Sequence, residues 1–150
     1  MAEDELINQI FVQRYEEKSG LAFPVFRQLS LADATAIRAR LRERLGLPLD
    51  SSDLAVYRMI RVASERLPLD ASMNEIELEQ VLRTLGAALH EDVFLENNWS
   101  EHTFEMRLTD ASLAFHALWQ PAAIDLCILD SELEWNFEMD HDGNGWFLKL

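Results

Sequence analysis

The residues whose types and spacing suggest chemistry most directly are Asp140-His141-Asp142-Gly143-Asn144-Gly145. They match the first six positions of the calcium-binding EF-hand loop, with oxygen ligands at the first, third and fifth places and a glycine at the sharp turn. The bidentate Glu required at the twelfth place would fall beyond Leu150, and the flanking residues alternate like strands. Asp and Asn before Gly are also hairpin-turn residues, so a turn is the preferred reading and a calcium-dependent module the alternative. The histidines are His90, His102, His116 and His141. His90-Glu91-Asp92 groups three ligand types, but no second His stands three or four residues away, and zinc wants three or four well-placed donors. The cluster therefore reads as a charged surface at a helix end, and no metal or cofactor is expected. Cys127, between Leu126 and Ile128, reads as a buried small hydrophobe. Carboxylates are abundant (Glu132/Glu134/Glu138, Glu101/Glu105), but acid–base work needs one kept protonated by burial, and their alternation with apolar residues argues for a solvated face. No glycine-rich phosphate loop, G-x-S-x-G or H-E-x-x-H occurs, so no catalytic residue is assigned and a non-enzyme is expected.

The elements that must position these residues change character along the chain. Residues 1–90 read as about four helices. Leu6, Ile7, Ile10, Phe11 and Tyr15 keep helical spacing from Asp4 to Lys18, and Gly20 closes the segment. A loop through Phe23-Pro24-Val25-Phe26 leads to Ser30-Leu31-Ala32-Asp33, a capping box opening a second helix whose stop is Gly46 then Pro48. On that helix Arg38, Arg40, Arg42 and Arg44 read as solvated flanks. A third helix is expected from Asp50–Asp53 to about Leu67, and a fourth from the capping box Ser72–Glu75 through Leu78, Val81, Leu82, Leu85 and Leu89.

From Asp92 the period shortens to two. Val93 and Leu95, Thr103 to Leu108, and Ile124 to Leu129 read as strands. Leu133, Trp135, Phe137 and Met139 alternate with Glu134, Asn136, Glu138 and Asp140 in the clearest strand, and Trp146 to Leu150 returns as its partner. Thr109–Ser112 looks like a helix start, with a strand the competing reading before Pro121. Trp135 and Trp146 flank the turn and are expected to pack across the hairpin. The expectation is one α+β domain over residues 1–150, with N-terminal helices packed on a mostly antiparallel sheet at 91–150.

Thirteen Lys and Arg stand against 27 Asp and Glu, a net charge of −14, and the imbalance is local. Residues 1–70 hold ten basic and eleven acidic side chains, whereas residues 71–150 hold three and sixteen. Such a surface disfavours nucleic acid or an anionic membrane as direct partner and favours a basic protein. Met1-Ala2-Glu3-Asp4-Glu5 lacks the basic start of a signal peptide, and the uncharged stretch Ala111–Ile124 is too short to span a membrane, so the cytoplasm is the expected location.

The strand entry Leu129-Asp130-Ser131-Glu132-Leu133-Glu134-Trp135, the Asp140–Gly143 turn and the terminal aromatic strand resemble the small acidic immunity proteins of bacterial toxin–immunity systems. That resemblance implies a non-enzymatic inhibitor that covers a basic toxin, often a nuclease. Glu132, Glu134, Glu138, Asp140 and Asp142 would supply charge, Glu96, Glu101 and Glu105 would neighbour them, and Trp135 or Trp146 would anchor. The competing readings are a DNA-mimicking decoy for a nucleic-acid-binding protein and the calcium-dependent module.

Overall fold

The computed structural model describes residues 9–69, 76–97, 102–119 and 125–150. Among them the chain is α+β, with helices mostly N-terminal and strands mostly C-terminal. The helices are α1 (Gln9–Ser19), α2 (Leu31–Leu45), α3 (Asp53–Ala63), α4 (Leu78–Thr84), α5 (Leu108–Leu113) and α6 (Phe115–Leu118). The strands are β1 (Phe26–Gln28), β2 (Glu65–Leu67), β3 (Asp92–Asn97), β4 (Phe104–Arg107), β5 (Leu126–Asp130), β6 (Trp135–Met139) and β7 (Gly145–Lys149). They form one seven-stranded antiparallel sheet in the order β1-β4-β3-β5-β6-β7-β2.

Local chemistry explains the boundaries. Ser30 Oγ accepts the Asp33 amide at 3.1 Å and starts α2, while Gly46, at φ 69°, lets its amide return to the Arg42 and Glu43 carbonyls. Ser52 caps α3 in the same way through the Ala55 amide. The third helix is shorter than its periodicity suggests. It ends at Ala63 because Ser64 is extended, and Glu65–Leu67 become an edge strand along β7. The expected loop at Phe26 likewise begins β1, which pairs with β4. Both edges of the sheet are thus closed by strands of three residues, a length that offers little template for foreign pairing. The capping box at Ser72–Glu75 lies outside the described residues. Among those described, no helix is long and apolar enough to cross a membrane.

Side-chain alternation sends each strand's residues to two covered faces. On one face Val93, Leu95, Phe104, Met106, Leu126, Ile128, Trp135, Phe137, Met139 and Phe147 pack under α4, α5 and α6, with Val12 and Tyr15 of α1 against them. On the other, Phe94 and Leu129 meet Ile37 and Leu41 of α2 and Val56, Tyr57 and Ile60 of α3. The sheet is therefore the middle of three layers. The alternation in β6 does not mark a solvated side, since all five of its residues are buried. Trp135 and Trp146 do not meet across the hairpin. The register pairs Glu138 with Trp146 and Trp135 with Lys149, so the tryptophans lie on opposite faces.

Candidate functional site

Beneath α2 and α3 the register lines up Glu96, Cys127, Glu138 and Trp146 on adjacent strands. Directly opposed residues on one face sit about 5 Å apart, so two carboxylates flank one thiol. Each carboxylate is met from above by an arginine. Glu96, 8% exposed, accepts from Thr103 Oγ1 at 2.8 Å and Arg38 Nη2 at 3.4 Å, and Tyr57 O–H also donates to it. Glu138, 1% exposed, is ion-paired with Arg61, whose guanidinium lies 4.7 Å from the Trp146 ring centroid. Burial pushes both carboxyls above the ordinary range, and the arginines and hydrogen bonds pull against it. Burial also pushes the Cys127 thiol well up, and the neighbouring carboxylates add to it, so it is an inert thiol as its apolar flanks predict. Arg38 and Arg42 are therefore not solvated flanks. They are buried: Arg38 reaches inward to Glu96, and Arg42 Nη2 lies 2.6 Å from Oδ1 of the exposed Asp53 at the start of α3, while Arg40 and Arg44 stay exposed.

The β6–β7 loop is a hairpin turn between strands, not a helix-flanked cation loop. Asp140 Oδ1 accepts the amides of Asp142 and Asn144 at 3.0 and 2.9 Å, and Oδ2 accepts Asn144 Nδ2 and Trp146 Nε1 at 3.2 and 3.0 Å. Burial alone would raise its pKa, but these donors, Trp146 foremost, lower it. The oxygens of the first ligand position are thus already taken by the turn. Beside it His141 Nδ1 lies 2.9 Å from Asp125 Oδ1.

The opposite end of the sheet, where β5 turns into β6, gathers exposed acid. Asp130 closes β5 with its side chain fully buried; its Oδ2 accepts the Glu134 amide at 3.1 Å, and His90 Nδ1 stands 2.8 Å from Oδ1. Leu133, at φ 56°, is a left-handed non-glycine residue that folds the turn back and brings Glu134 over Asp130. Glu132 and Glu134 are exposed. The hydrogen bond to Asp130 raises the His90 pKa, and the Asp130, Glu134 and Glu132 charges raise it further. Ligand atoms of His90, Asp130 and Glu134 all lie within 4.8 Å of one another.

The acidic residues picked out by sequence are therefore not one surface. Glu132 and Glu134 share the β5–β6 end. Asp142 is exposed at the β6–β7 end, a five-residue strand away, about 17 Å. Glu105, half-buried on β4, pairs with Arg27 of β1 at 2.8 Å. Glu96, Glu138 and Asp140 are buried because helices and turn donors cover the face that alternation suggested was open, and Trp135 is buried in the core on the other face, so none of the four is offered to a docking protein. Trp146 is half-buried under Arg61, and Glu101 lies outside the described residues. The residue missed was Asp130, whose fixed signal is its place just before the Ser131–Glu134 turn. Comparison with protein-family models, curated proteins and solved structures finds no match to this chain.

Proposed function

We propose that this chain is a non-enzymatic binding protein that captures a basic partner through the β5–β6 end of its sheet, in the manner of the immunity proteins it resembles, with a toxin such as a nuclease as the partner. One observation carries the reading: Glu132 and Glu134 stand exposed together at the β5–β6 turn, with the Glu134 amide held on buried Asp130. Negative potential of that kind steers a cationic partner into register and sets association rate and specificity more than final affinity. The buried acids have a different duty, holding α2 and α3 to the sheet through Arg38 and Arg61.

Affinity capture from lysate of the source organism tests this, with wild type and a Glu132→Lys/Glu134→Lys variant as baits. The expected result is one basic protein, retained by wild type and by Asp142→Lys, and lost from the double variant. Repeating the wash at about 0.5 M salt, where screening acts beyond about 4 Å, should release it. Retention by the double variant would refute the proposed surface. Capture of many nucleic-acid-binding proteins would replace the reading with a DNA mimic.

A further inference from the structure

We propose that His90, Asp130 and Glu134 form a site for one first-row divalent metal ion, of the zinc class, at the β5–β6 end of the sheet. An imidazole with two carboxylates is a donor set for zinc and its neighbours, whereas an all-oxygen set would suit calcium or magnesium. The spacing fits. Zinc–donor bonds of about 2.0–2.2 Å put neighbouring donors of a tetrahedron about 3.3 Å apart. His90 Nδ1 and Asp130 Oδ1 stand 2.8 Å apart, and the donor atoms of all three residues fall within 4.8 Å. Small side-chain rotations close such a set on an ion, with water completing the fourth position.

The ligands are also held. The Asp130 side chain is wholly buried, and the Glu134 amide on Oδ2 at 3.1 Å fixes its carboxylate and leaves Oδ1 turned to His90. A donor on the second oxygen of a ligating carboxylate is the kind of outer contact that orients metal ligands. His90 is 34% exposed and Glu134 is exposed, so the ion has a way in from solvent. Glu132 adds negative charge nearby without belonging to the set. In the metal-free molecule the His90–Asp130 contact is a hydrogen bond, and the ion would take the place of the proton between them. The reading stands without the capture of a basic partner, because metal binding is measured on the chain alone.

The test is isothermal titration of ZnCl2 into the full chain after chelator treatment and dialysis, for wild type, Glu134→Gln, His90→Gln and Glu132→Gln. One ion per chain is expected for wild type. Glu134→Gln, at an exposed position that leaves the core intact, should weaken binding by about tenfold or more, and His90→Gln should do at least as much, while Glu132→Gln should stay within about twofold. Cobalt(II) should give the visible absorption of a tetrahedral site in wild type and lose it in Glu134→Gln. No saturable one-to-one binding overturns the proposal. So does binding that survives His90→Gln, or that falls equally in Glu134→Gln and Glu132→Gln.

Discussion

Removing either partner of the Arg61–Glu138 pair should not cost the same. The Glu138 side chain is 1% exposed, whereas the Arg61 side chain is 33% exposed and rests on Trp146. Arg61→Met keeps most of the stem but strands a carboxylate in the layer between α3 and the sheet. A buried charge that loses its partner costs about 3–5 kcal/mol, a large part of the roughly 5–15 kcal/mol that holds a domain of ordinary stability together. Glu138→Gln leaves an amide oxygen that still accepts from Arg61, and the guanidinium can draw on solvent through its open third, so the loss should be about 1 kcal/mol. Arg61→Met/Glu138→Leu, which replaces the pair by apolar groups, should recover most of the single-variant loss. The readout is urea unfolding followed by circular dichroism at pH 7.5 and pH 5. Burial already raises the Glu138 carboxyl above its ordinary range, and without Arg61 it rises further. A folded-state pKa above the unfolded one contributes stability at pH below the unfolded value, which is lost as pH rises through the folded value. The deficit of Arg61→Met should therefore shrink on going from pH 7.5 to pH 5, by at most about 1.4 kcal/mol per pH unit. Equal costs for the two single variants, or an Arg61→Met deficit that is the same at both pH values, would refute the reasoning.

Two further outcomes follow from buried polar groups. Asp140→Ala removes the acceptor for four donors of the β6–β7 turn and should cost about 2–3 kcal/mol in the same unfolding assay. Its lowered pKa means that wild type's advantage is present above the unfolded value and fades as pH falls through the folded one, so the two proteins should converge below about pH 4. Asn136 is buried on β6, and its Nδ2 has no hydrogen-bond partner among the described residues, so Asn136→Leu should be neutral or stabilising by up to about 1 kcal/mol, with a loss above that marking an unrecognised partner.

Much of what is written within a few residues was legible from sequence, although α4 stops at Thr84, with Gly86 at φ 72°, short of the expected Leu89. Ser30, Asp33 and Gly46 mark the ends of α2, and the Asp-Gly-Asn turn marks the β6–β7 hairpin, because caps and turns are local chemistry. The strands β1 and β2 were not legible. Three residues carry no periodicity, and they are strands only because the open edges of β4 and β7 offer them hydrogen bonds. The burial of Glu138 was hidden for a related reason. Polar–apolar alternation looks the same whether the polar side faces water or a helix that brings a counter-charge, and here that charge, Arg61, lies 77 positions away. The proposed cation site shows the same limit. His90 and Asp130 are 40 positions apart, so a search for ligands at helical spacing passes over them.

The division of charge along the chain is therefore two phenomena laid over each other. Part of it is paired: at the sheet edge the exposed Arg27 meets Glu105, and internally Arg38 of α2 and Arg61 of α3 neutralise Glu96 and Glu138, joining the basic half of the sequence to the acidic half. An internal pair of this kind is spent on holding layers together and exerts little field at a distance. Outside, the signs are mixed on α2, where Asp33, Arg40, Glu43 and Arg44 are all exposed, whereas Glu132 and Glu134 stand exposed together at the β5–β6 end. Sign and position both matter to a charged partner, because like charge in the wrong place repels as firmly as unlike charge attracts. A uniformly acidic inhibitor would accept a basic protein in many orientations. On the proposed reading, the balanced exposed charges of α2 would offer a basic partner little, and the unbalanced Glu132 and Glu134 would draw its basic surface to the β5–β6 turn.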